Sequence, residues 1–283
     1  MNKIRVCGAD LAISRLGFGC ARVFGGSELS QSAALIEAAI RHGIAHFDTA
    51  SAYGSEDVLG AVIGNDRTIT IATKVGLSRY QPPSSKAKRA LGTLYRRRLR
   101  PLLATMPAIK SMLMQIPMRG RPPSGRPAVP AARALLRDEV HRELEESLRR
   151  LRRTWIDLYL LHEPDGILIT EELRDVFDTL RKDGVIKAYG LAYGAIANES
   201  IAFGTVLQGR FPGNQPSRQR EDCTRIYHGI VRFGFADHPD DARKIGAGAL
   251  IARAIGAHPQ ATAVFSASTG RQIRQIANAF RSS

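Results

Sequence analysis

Short apolar runs alternate with stretches of helical periodicity along this chain, and that alternation limits its fold more than any other feature. Eight runs are predicted to be strands: residues 16–19, 44–47, 68–73, 156–161, 185–191, 205–208, 226–231 and 261–265. The helical patterns cover residues 30–42, 56–63, 138–153, 170–182, 196–203, 240–255 and 271–280. Strands that alternate with helices are typical of βα units built on a parallel sheet.

Eight such units favour a closed α/β barrel, the (β/α)8 or TIM barrel, which typically needs about 250 residues. The chain has 283 residues, so we expect a single barrel domain over 1–283. Residues 4–6 and 12–14 flank Gly8-Ala9-Asp10 and predict an N-terminal β-hairpin. An open doubly wound sheet is the alternative, and it is weakened because no GxGxxG motif follows the first strand.

The positive charge of the chain is concentrated in one segment. Residues 79–137 contain 14 Lys and Arg, no Asp or Glu, and nine of the 14 prolines. The net charge of the whole chain is +15, so the remainder carries only +1. The charge therefore does not favour a nucleic-acid partner for the protein as a whole. The segment follows the third strand, so we expect a long basic, Pro-rich insertion on the catalytic face.

Three interpretations of residues 79–137 remain open. The first is a surface insertion that partly covers the substrate pocket. The second is a lid whose arginines receive an anionic substrate or an acidic partner. The third is a basic amphipathic element that contacts anionic membrane. Raised salt should weaken binding to acidic partners only in the second and third cases.

The cysteines and the apolar runs indicate the cellular setting. Cys7, Cys20 and Cys223 lie far apart without a CxxC pair, which favours reduced thiols and argues against a structural zinc site. The first residues lack the continuous apolar core of a signal peptide. No stretch approaches the roughly 20 apolar residues of a membrane span. We therefore expect a cytoplasmic protein without a metal site.

Four chemically reactive side chains fall where a barrel places its active site. Asp48, Lys74 and His162 directly follow the second, third and fourth predicted strands, and Tyr53 lies five residues beyond Asp48. Active sites of such barrels lie at the C-terminal ends of the strands. Each residue alone has a structural explanation: a loop hydrogen bond, a packing ring, a solvated lysine or a core histidine. The set of four is much more specific than any one of them.

Together these side chains suit proton transfer to a reduced carbonyl. A tyrosine with a pKa near 10 is a poor proton donor at neutral pH, and an adjacent ammonium lowers that pKa. Lys74 would lower the pKa of Tyr53, and Asp48 would hold Lys74 through an ion pair. His162 would donate a hydrogen bond to the substrate oxygen. No nucleophile is needed if a cofactor supplies the hydride.

The motifs around these residues resemble those of the aldo-keto reductase family. Phe47-Asp48-Thr49-Ala50-Ser51-Ala52-Tyr53-Gly54-Ser55-Glu56 is similar to its signature, and Ile71-Ala72-Thr73-Lys74 to its lysine strand. Residues 144–164 resemble its Ser-Leu-x-Arg-Leu helix and histidine strand. The resemblance covers residues 4–78 and 138–280. It implies a (β/α)8 barrel that reduces a small aldehyde or ketone with NAD(P)H, with Tyr53 as general acid assisted by Lys74, Asp48 and His162.

The resemblance also implies a set of cofactor-binding residues: Gly19, Asp48, Gln208, Ser266, Ser268, Arg271 and Gln272. Gln208 matches the glutamine that binds the nicotinamide carboxamide, and residues 265–273 resemble the loop that grips the adenosine phosphate. Hydroxyls at a helix N-terminus suit phosphate, although the same loop could simply cap the helix. Arg271 could pair with a 2′-phosphate, which favours NADP(H) over NAD(H).

The sequence departs from the family pattern after the fifth strand. Gly190-Leu191-Ala192-Tyr193-Gly194 stands where the family usually has Gly-x-Ser-Asn, so polar contacts to the carboxamide are missing. Ile276 stands where the family often has Asn. An alternative hypothesis follows from these changes. The chain would be a cofactor-binding but catalytically weak barrel that acts as a regulatory or partner-binding subunit.

Overall fold

The structure is a computed structural model that describes residues 1–25, 28–79, 133–213, 222–237 and 239–282. All of these residues except Arg133 belong to one compact unit. Most of the basic insertion expected at 79–137 therefore lies outside the described residues. The three interpretations of that insertion concern residues that the structure does not describe. Within the described part, no helix combines the length and the apolar character that crossing a membrane requires.

The described elements follow the expected alternation. The strands are β1 Lys3–Arg5, β2 Ala12–Ser14, β3 Leu16–Gly19, β4 His46–Asp48, β5 Thr70–Val75, β6 Arg133–Ala134, β7 Ile156–His162, β8 Ile167–Leu168, β9 Ile186–Ala192, β10 Val206–Arg210, β11 Thr224–His228 and β12 Ala261–Phe265. The α-helices are α1 Leu29–Arg41, α2 Glu56–Val62, α3 Arg137–Leu151, α4 Glu171–Lys182, α5 Ile230–Asp237, α6 Pro239–Gly256 and α7 Gly270–Arg281.

Eight of these strands close into a barrel, which confirms the predicted (β/α)8 fold. The order around the barrel is β3, β4, β5, β7, β9, β10, β11 and β12. Neighbouring strands are parallel throughout, and the register places Asp48 beside Ala72, Lys74 beside Leu160, and Ala192 beside both His162 and Gln208. The carboxyl ends of all eight strands therefore meet at one mouth of the barrel.

The N-terminal hairpin closes the other end. β1 and β2 pair antiparallel with Ile4 opposite Ile13, as the sequence predicted. Ile4, Val6 and Ile13 are buried in one cluster with residues from inside the barrel, such as Leu158 and Ile226. A second, larger apolar cluster fills the space between the strands and the surrounding helices. The hairpin thus seals the lower end of the barrel with apolar side chains.

Some predicted elements differ from the observed ones. Residues 196–203 were expected to form a helix but adopt bends and turns, because the Asn198 carboxamide accepts hydrogen bonds from the backbone N–H and hydroxyl of Ser200. The predicted seventh strand extended to residue 231, whereas β11 ends at His228 because Gly229 adopts a φ of 75°. The helical geometry of α6 is interrupted at Gly246, where φ is 77° and ψ is 165°.

Candidate active site

The barrel mouth brings the four predicted catalytic residues into one cavity. Asp48 ends β4, Lys74 is the penultimate residue of β5, and His162 ends β7. Tyr53 lies in the short loop between β4 and α2. All four line a cavity of about 940 Å³, which lies within the size range of cofactor sites. The sequence placed them at strand ends, and the fold makes those ends converge.

Lys74 and Asp48 form a buried ion pair. The Lys74 ammonium donates to Asp48 Oδ1 at 2.6 Å and to the Thr49 carbonyl at 2.7 Å, and its side chain is 2% exposed. Burial alone would lower the pKa of Lys74, but the Asp48 carboxylate and Tyr53 more than offset it, so the pKa is raised. Gln208 Nε2 also donates to Asp48 Oδ1, at 3.0 Å. The ammonium is therefore charged and held in a fixed position.

Tyr53 lies against both Lys74 and His162. The Lys74 ammonium is 5.3 Å from the centroid of the Tyr53 ring. The Tyr53 and His162 rings meet edge to face, with centroids 5.6 Å apart and an interplanar angle of 82°. This arrangement gives Tyr53 a cation on one side and an imidazole on another.

The pKa of Tyr53 differs in net direction from the sequence-based expectation. Lys74 is the largest single influence and lowers the pKa, as expected. Burial and the carboxylates of Asp48 and Glu163 raise it and together outweigh the lysine. The expectation of a net lowered pKa was therefore wrong for the protein alone, because it considered only the nearest cation. The phenol carries its proton at neutral pH.

His162 is a neutral imidazole. Burial, reinforced by the Lys74 charge, lowers its pKa to about 3. Its Nδ1 is buried and has no hydrogen-bond partner within the described part of the chain. At neutral pH the ring therefore presents one N–H donor and one acceptor nitrogen, without a positive charge.

Most of the predicted cofactor-binding residues line the same cavity. Gly19, Asp48, Gln208, Ser266, Ser268 and Gln272 are on its wall, whereas Arg271 is exposed and is not one of the described residues that line it. Gln208 Oε1 is buried without a hydrogen-bond partner among the described residues, so it can accept from an amide N–H. A Cβ at Gly19 would lie 3.0 Å from Ser266 Oγ, so a larger residue would crowd this wall.

The loop before α7 serves two purposes. Thr269 Oγ1 accepts from the Gln272 backbone N–H at 3.2 Å, and Gln272 Oε1 accepts from the Ser268 N–H at 2.9 Å. These reciprocal bonds cap the helix, much as a capping box does. Ser266, Ser268 and Gln272 also line the cavity, so the capping loop forms part of its wall.

The cavity residues that were not singled out as site residues from the sequence include Arg22, Glu163, Tyr193, His228 and Arg232. Glu163 and His228 could have been found by the rule that selected Asp48, since they lie at the ends of β7 and β11. Tyr193 had been noted only as a departure from a family pattern. Its ring is buried, its hydroxyl donates to the Asn198 carbonyl at 3.5 Å, and its own carbonyl lies 2.8 Å from His228 Nε2.

Comparisons with known proteins identify the family of the chain. A model of the aldo/keto reductase family matches residues 15–202. The chain is 28% identical over 196 residues to the uncharacterized oxidoreductase YqkF of Bacillus subtilis, covering 68% of this chain and 49% of that protein. It is 27% identical over 199 residues to the aldo-keto reductase YhdN of the same organism, covering 68% and 47%. The matches thus span about half the length of these curated relatives.

Solved structures show the same fold. Aldo-keto reductase AKR11C1 from Bacillus halodurans, in its holo form, superposes with a TM-score of 0.67 at 20% identity, covering 100% of this chain and 92% of that one. An aldo-keto reductase from Klebsiella pneumoniae in complex with NADPH gives a TM-score of 0.61 at 21% identity, covering 99% and 90%.

Proposed function

Because this chain belongs to the aldo/keto reductase family, we propose that it reduces an aldehyde or ketone to an alcohol with NADP(H), or catalyses the reverse oxidation. The observation that carries the proposal is the Lys74–Asp48 ion pair, at 2.6 Å, beside Tyr53 in the barrel mouth. An ion pair that is this deeply buried needs a compensating reason, and support of a proton donor is such a reason.

The cavity wall fits a nicotinamide cofactor. Gln208 Oε1 offers a buried, unpartnered acceptor for a carboxamide N–H, and Ser266, Ser268 and Gln272 offer polar groups near the first turn of α7. The bound cofactor would supply the hydride. NADP(H) is favoured because the Klebsiella pneumoniae relative is described with NADPH and because Arg271 lies on the same helix turn.

The protein side chains then supply the proton and stabilise the negative charge that develops on the substrate oxygen. Tyr53 gives its phenolic proton to the substrate oxygen, and the charged Lys74 stabilises the phenolate that remains. Asp48 keeps Lys74 in position. His162, neutral at working pH, donates an N–H bond to the same oxygen as negative charge develops there.

Loss of cofactor oxidation in a Tyr53→Phe variant tests this proposal. NADPH consumption is measured with a panel of aliphatic and aromatic aldehydes and ketones. Removing a general acid typically costs about 10²- to 10⁴-fold in rate. Tyr53→Phe should therefore lose most of the turnover, while cofactor binding, followed by NADPH fluorescence, is retained.

Tyr189→Phe is the matched control. Tyr189 lies on β9, and its hydroxyl donates to Asp178 outside the described cavity wall, so this variant loses a phenol without touching the site. Its turnover should equal that of the wild type. If Tyr53→Phe consumed NADPH as fast as the wild type, the proposed role of Tyr53 would be wrong.

The alternative function is a barrel that binds cofactor but turns over little. It is favoured by the run Ala192-Tyr193-Gly194, in which the Tyr193 hydroxyl is directed to the Asn198 carbonyl. In that case the wild type would bind NADPH and consume none with any carbonyl of the panel. The same assay therefore separates the two functions.

A further inference from the structure

Glu163 stands at the reacting end of the cavity and has no part in the proposed proton transfer. It directly follows His162 at the end of β7, and it lines the same cavity as Tyr53. Its backbone is in the left-handed region, with φ 51° and ψ 62°. Non-glycine residues adopt this conformation rarely, and such residues cluster at functional sites.

Several contacts fix Glu163 in this conformation. Its N–H donates to the Ala192 carbonyl at 2.8 Å, and its carbonyl accepts from the Gly166 N–H at 3.3 Å. Its side-chain Oε1 accepts from the Gly194 N–H at 2.9 Å. A Cβ at Gly194 would lie only 2.5 Å from that oxygen, so the contact depends on glycine. The carboxylate is therefore anchored by one oxygen.

The charges on the described cavity wall leave Glu163 as a distinct negative centre. The charged residues of that wall are Arg22, Asp48, Lys74, Glu163 and Arg232. Asp48 and Lys74 neutralise each other at 2.6 Å, so the exposed Arg22 and Arg232 together with Glu163 leave the described wall with a net charge of +1. The Glu163 carboxylate raises the pKa of Tyr53, although Lys74 acts on that phenol more strongly in the opposite direction. Glu163 is thus within electrostatic reach of the hydroxyl that would protonate the substrate.

We infer that Glu163 tunes the charge preference of the site: its carboxylate favours carbonyl compounds that carry a cationic substituent and disfavours those that carry a carboxylate, relative to the same cavity without that charge. This inference rests on the proposed function, since it concerns the substrate of the same site. A fixed carboxylate attracts a cation and repels an anion over several ångströms, and solvent screens the effect here because the Glu163 side chain is exposed in the protein alone. The direction is opposite to that expected if arginines of residues 79–137 received an anionic substrate.

Three benzaldehydes of similar size test the inference. They carry a para trimethylammonium, tert-butyl or carboxylate group; the first two share a shape but differ in charge and in carbonyl reactivity, and the difference in reactivity cancels when ratios are compared between variants. The measured quantity is the ratio of kcat/KM for the cationic over the neutral aldehyde, compared between the wild type and each variant. Glu163→Gln should lower that ratio about fivefold, and should raise the ratio for the carboxylate over the neutral aldehyde. Glutamine keeps an oxygen for the Gly194 N–H, so the loop geometry is preserved.

Asp165→Asn is the matched control. It removes one negative charge two residues further along, from an exposed side chain that is not on the described cavity wall. Its ratios should equal those of the wild type. Equal ratios in Glu163→Gln and the wild type would overturn the inference and leave the proposed reduction intact.

Equilibrium binding gives a second readout that does not depend on turnover. Affinities of phenyltrimethylammonium and benzoate for the NADPH-loaded protein are compared by ligand-observed NMR. Glu163→Gln should weaken binding of the cation about tenfold relative to benzoate. An unchanged preference would overturn the inference even if no carbonyl of the panel were reduced, whereas absent turnover with a changed preference would count only against the proposed function.

Discussion

The Arg79 guanidinium donates to Glu56 Oε2 at 2.7 Å, which connects the first residue of the basic segment to the helix that follows Tyr53. Glu56 is 1% exposed and begins α2, three residues after Tyr53. Arg79 also lies 2.8 Å from a Glu143 carboxylate oxygen and donates to the Ser147 hydroxyl at 3.1 Å. The start of the basic segment is therefore part of the barrel's packing.

Loss of this guanidinium should destabilise the fold. Among the described residues, Arg79→Met leaves Glu56 buried with only the Thr73 hydroxyl as a partner, and breaking a buried pair in this way typically costs about 3–5 kcal/mol. Urea unfolding measures the change. Arg149→Met is the matched control, because its pair with Glu146 is exposed to solvent and should contribute little to the free energy of unfolding. Similar losses in the two variants would contradict the buried role of Arg79.

The Lys74–Asp48 pair predicts a characteristic double-variant result. Lys74→Met leaves the Asp48 carboxylate buried with Gln208 as its only side-chain donor in the described part of the chain, so we expect a loss of about 3–5 kcal/mol in the free energy of unfolding. Adding Asp48→Asn removes the stranded charge and should recover part of that loss. Turnover should be lost in both variants because Tyr53 has lost its cation. If the second substitution recovered no stability, Asp48 would not depend on Lys74.

Buried histidines should make the fold acid-sensitive. Burial lowers the pKa of His46 to about 4, and His162 shifts in the same direction, to about 3. An unfolded histidine binds its proton near pH 6.5, so the unfolded state holds more protons as the pH falls below that value. The free energy of unfolding should therefore decrease from pH 7 towards pH 4, by about 2 kcal/mol per histidine between pH 7 and pH 5.

Replacing His46 isolates its share of this pH dependence. His46→Gln should reduce the decrease between pH 7 and pH 5 by about 2 kcal/mol, as measured by urea unfolding at each pH. The comparison uses differences within each variant, so a uniform loss of stability does not affect it. An unchanged slope in His46→Gln would show that His46 does not resist protonation in the fold.

Gln208 should contribute to cofactor affinity. Gln208→Leu removes the buried Oε1 that has no partner among the described residues, and the loss of such an acceptor should raise the Kd for NADPH about 10- to 100-fold. Fluorescence titration measures the Kd. A cofactor fragment without the nicotinamide ring should bind the variant and the wild type equally. An equal loss for the fragment would place the effect away from the carboxamide.

The barrel and the strand-end residues were predictable because they follow from local patterns. Apolar runs gave eight strands, and the parallel arrangement required Asp48, Lys74 and His162 to share one mouth. The predicted boundaries of helices and strands were wrong where the conformation of a single residue interrupted the local hydrophobic pattern. Gly229 and Gly246 adopt positive φ values, and Asn198 binds local backbone and hydroxyl groups in place of a helical turn.

The sequence could not predict how opposing charges combine to set the pKa of a buried group. Lys74 was expected to lower the pKa of Tyr53, but the burial of the phenol and the positions of Asp48 and Glu163 depend on three-dimensional distances. Arg79 likewise belonged to a basic run, and only the fold shows it bound to Glu56 and Glu143. Charge counts along a chain do not reveal which charges are paired.

The hairpin at the lower end of the barrel has a kinetic consequence. Ile4, Val6 and Ile13 fill that end, and the Cys7 N–H donates to Thr224 at the start of β11, at 2.8 Å. Among the described residues, the chamber that holds Lys74 thus opens only at the strands' carboxyl ends. If two ligands bind in this chamber, they use the same opening. The ligand that lies deeper is then expected to bind first and to dissociate last.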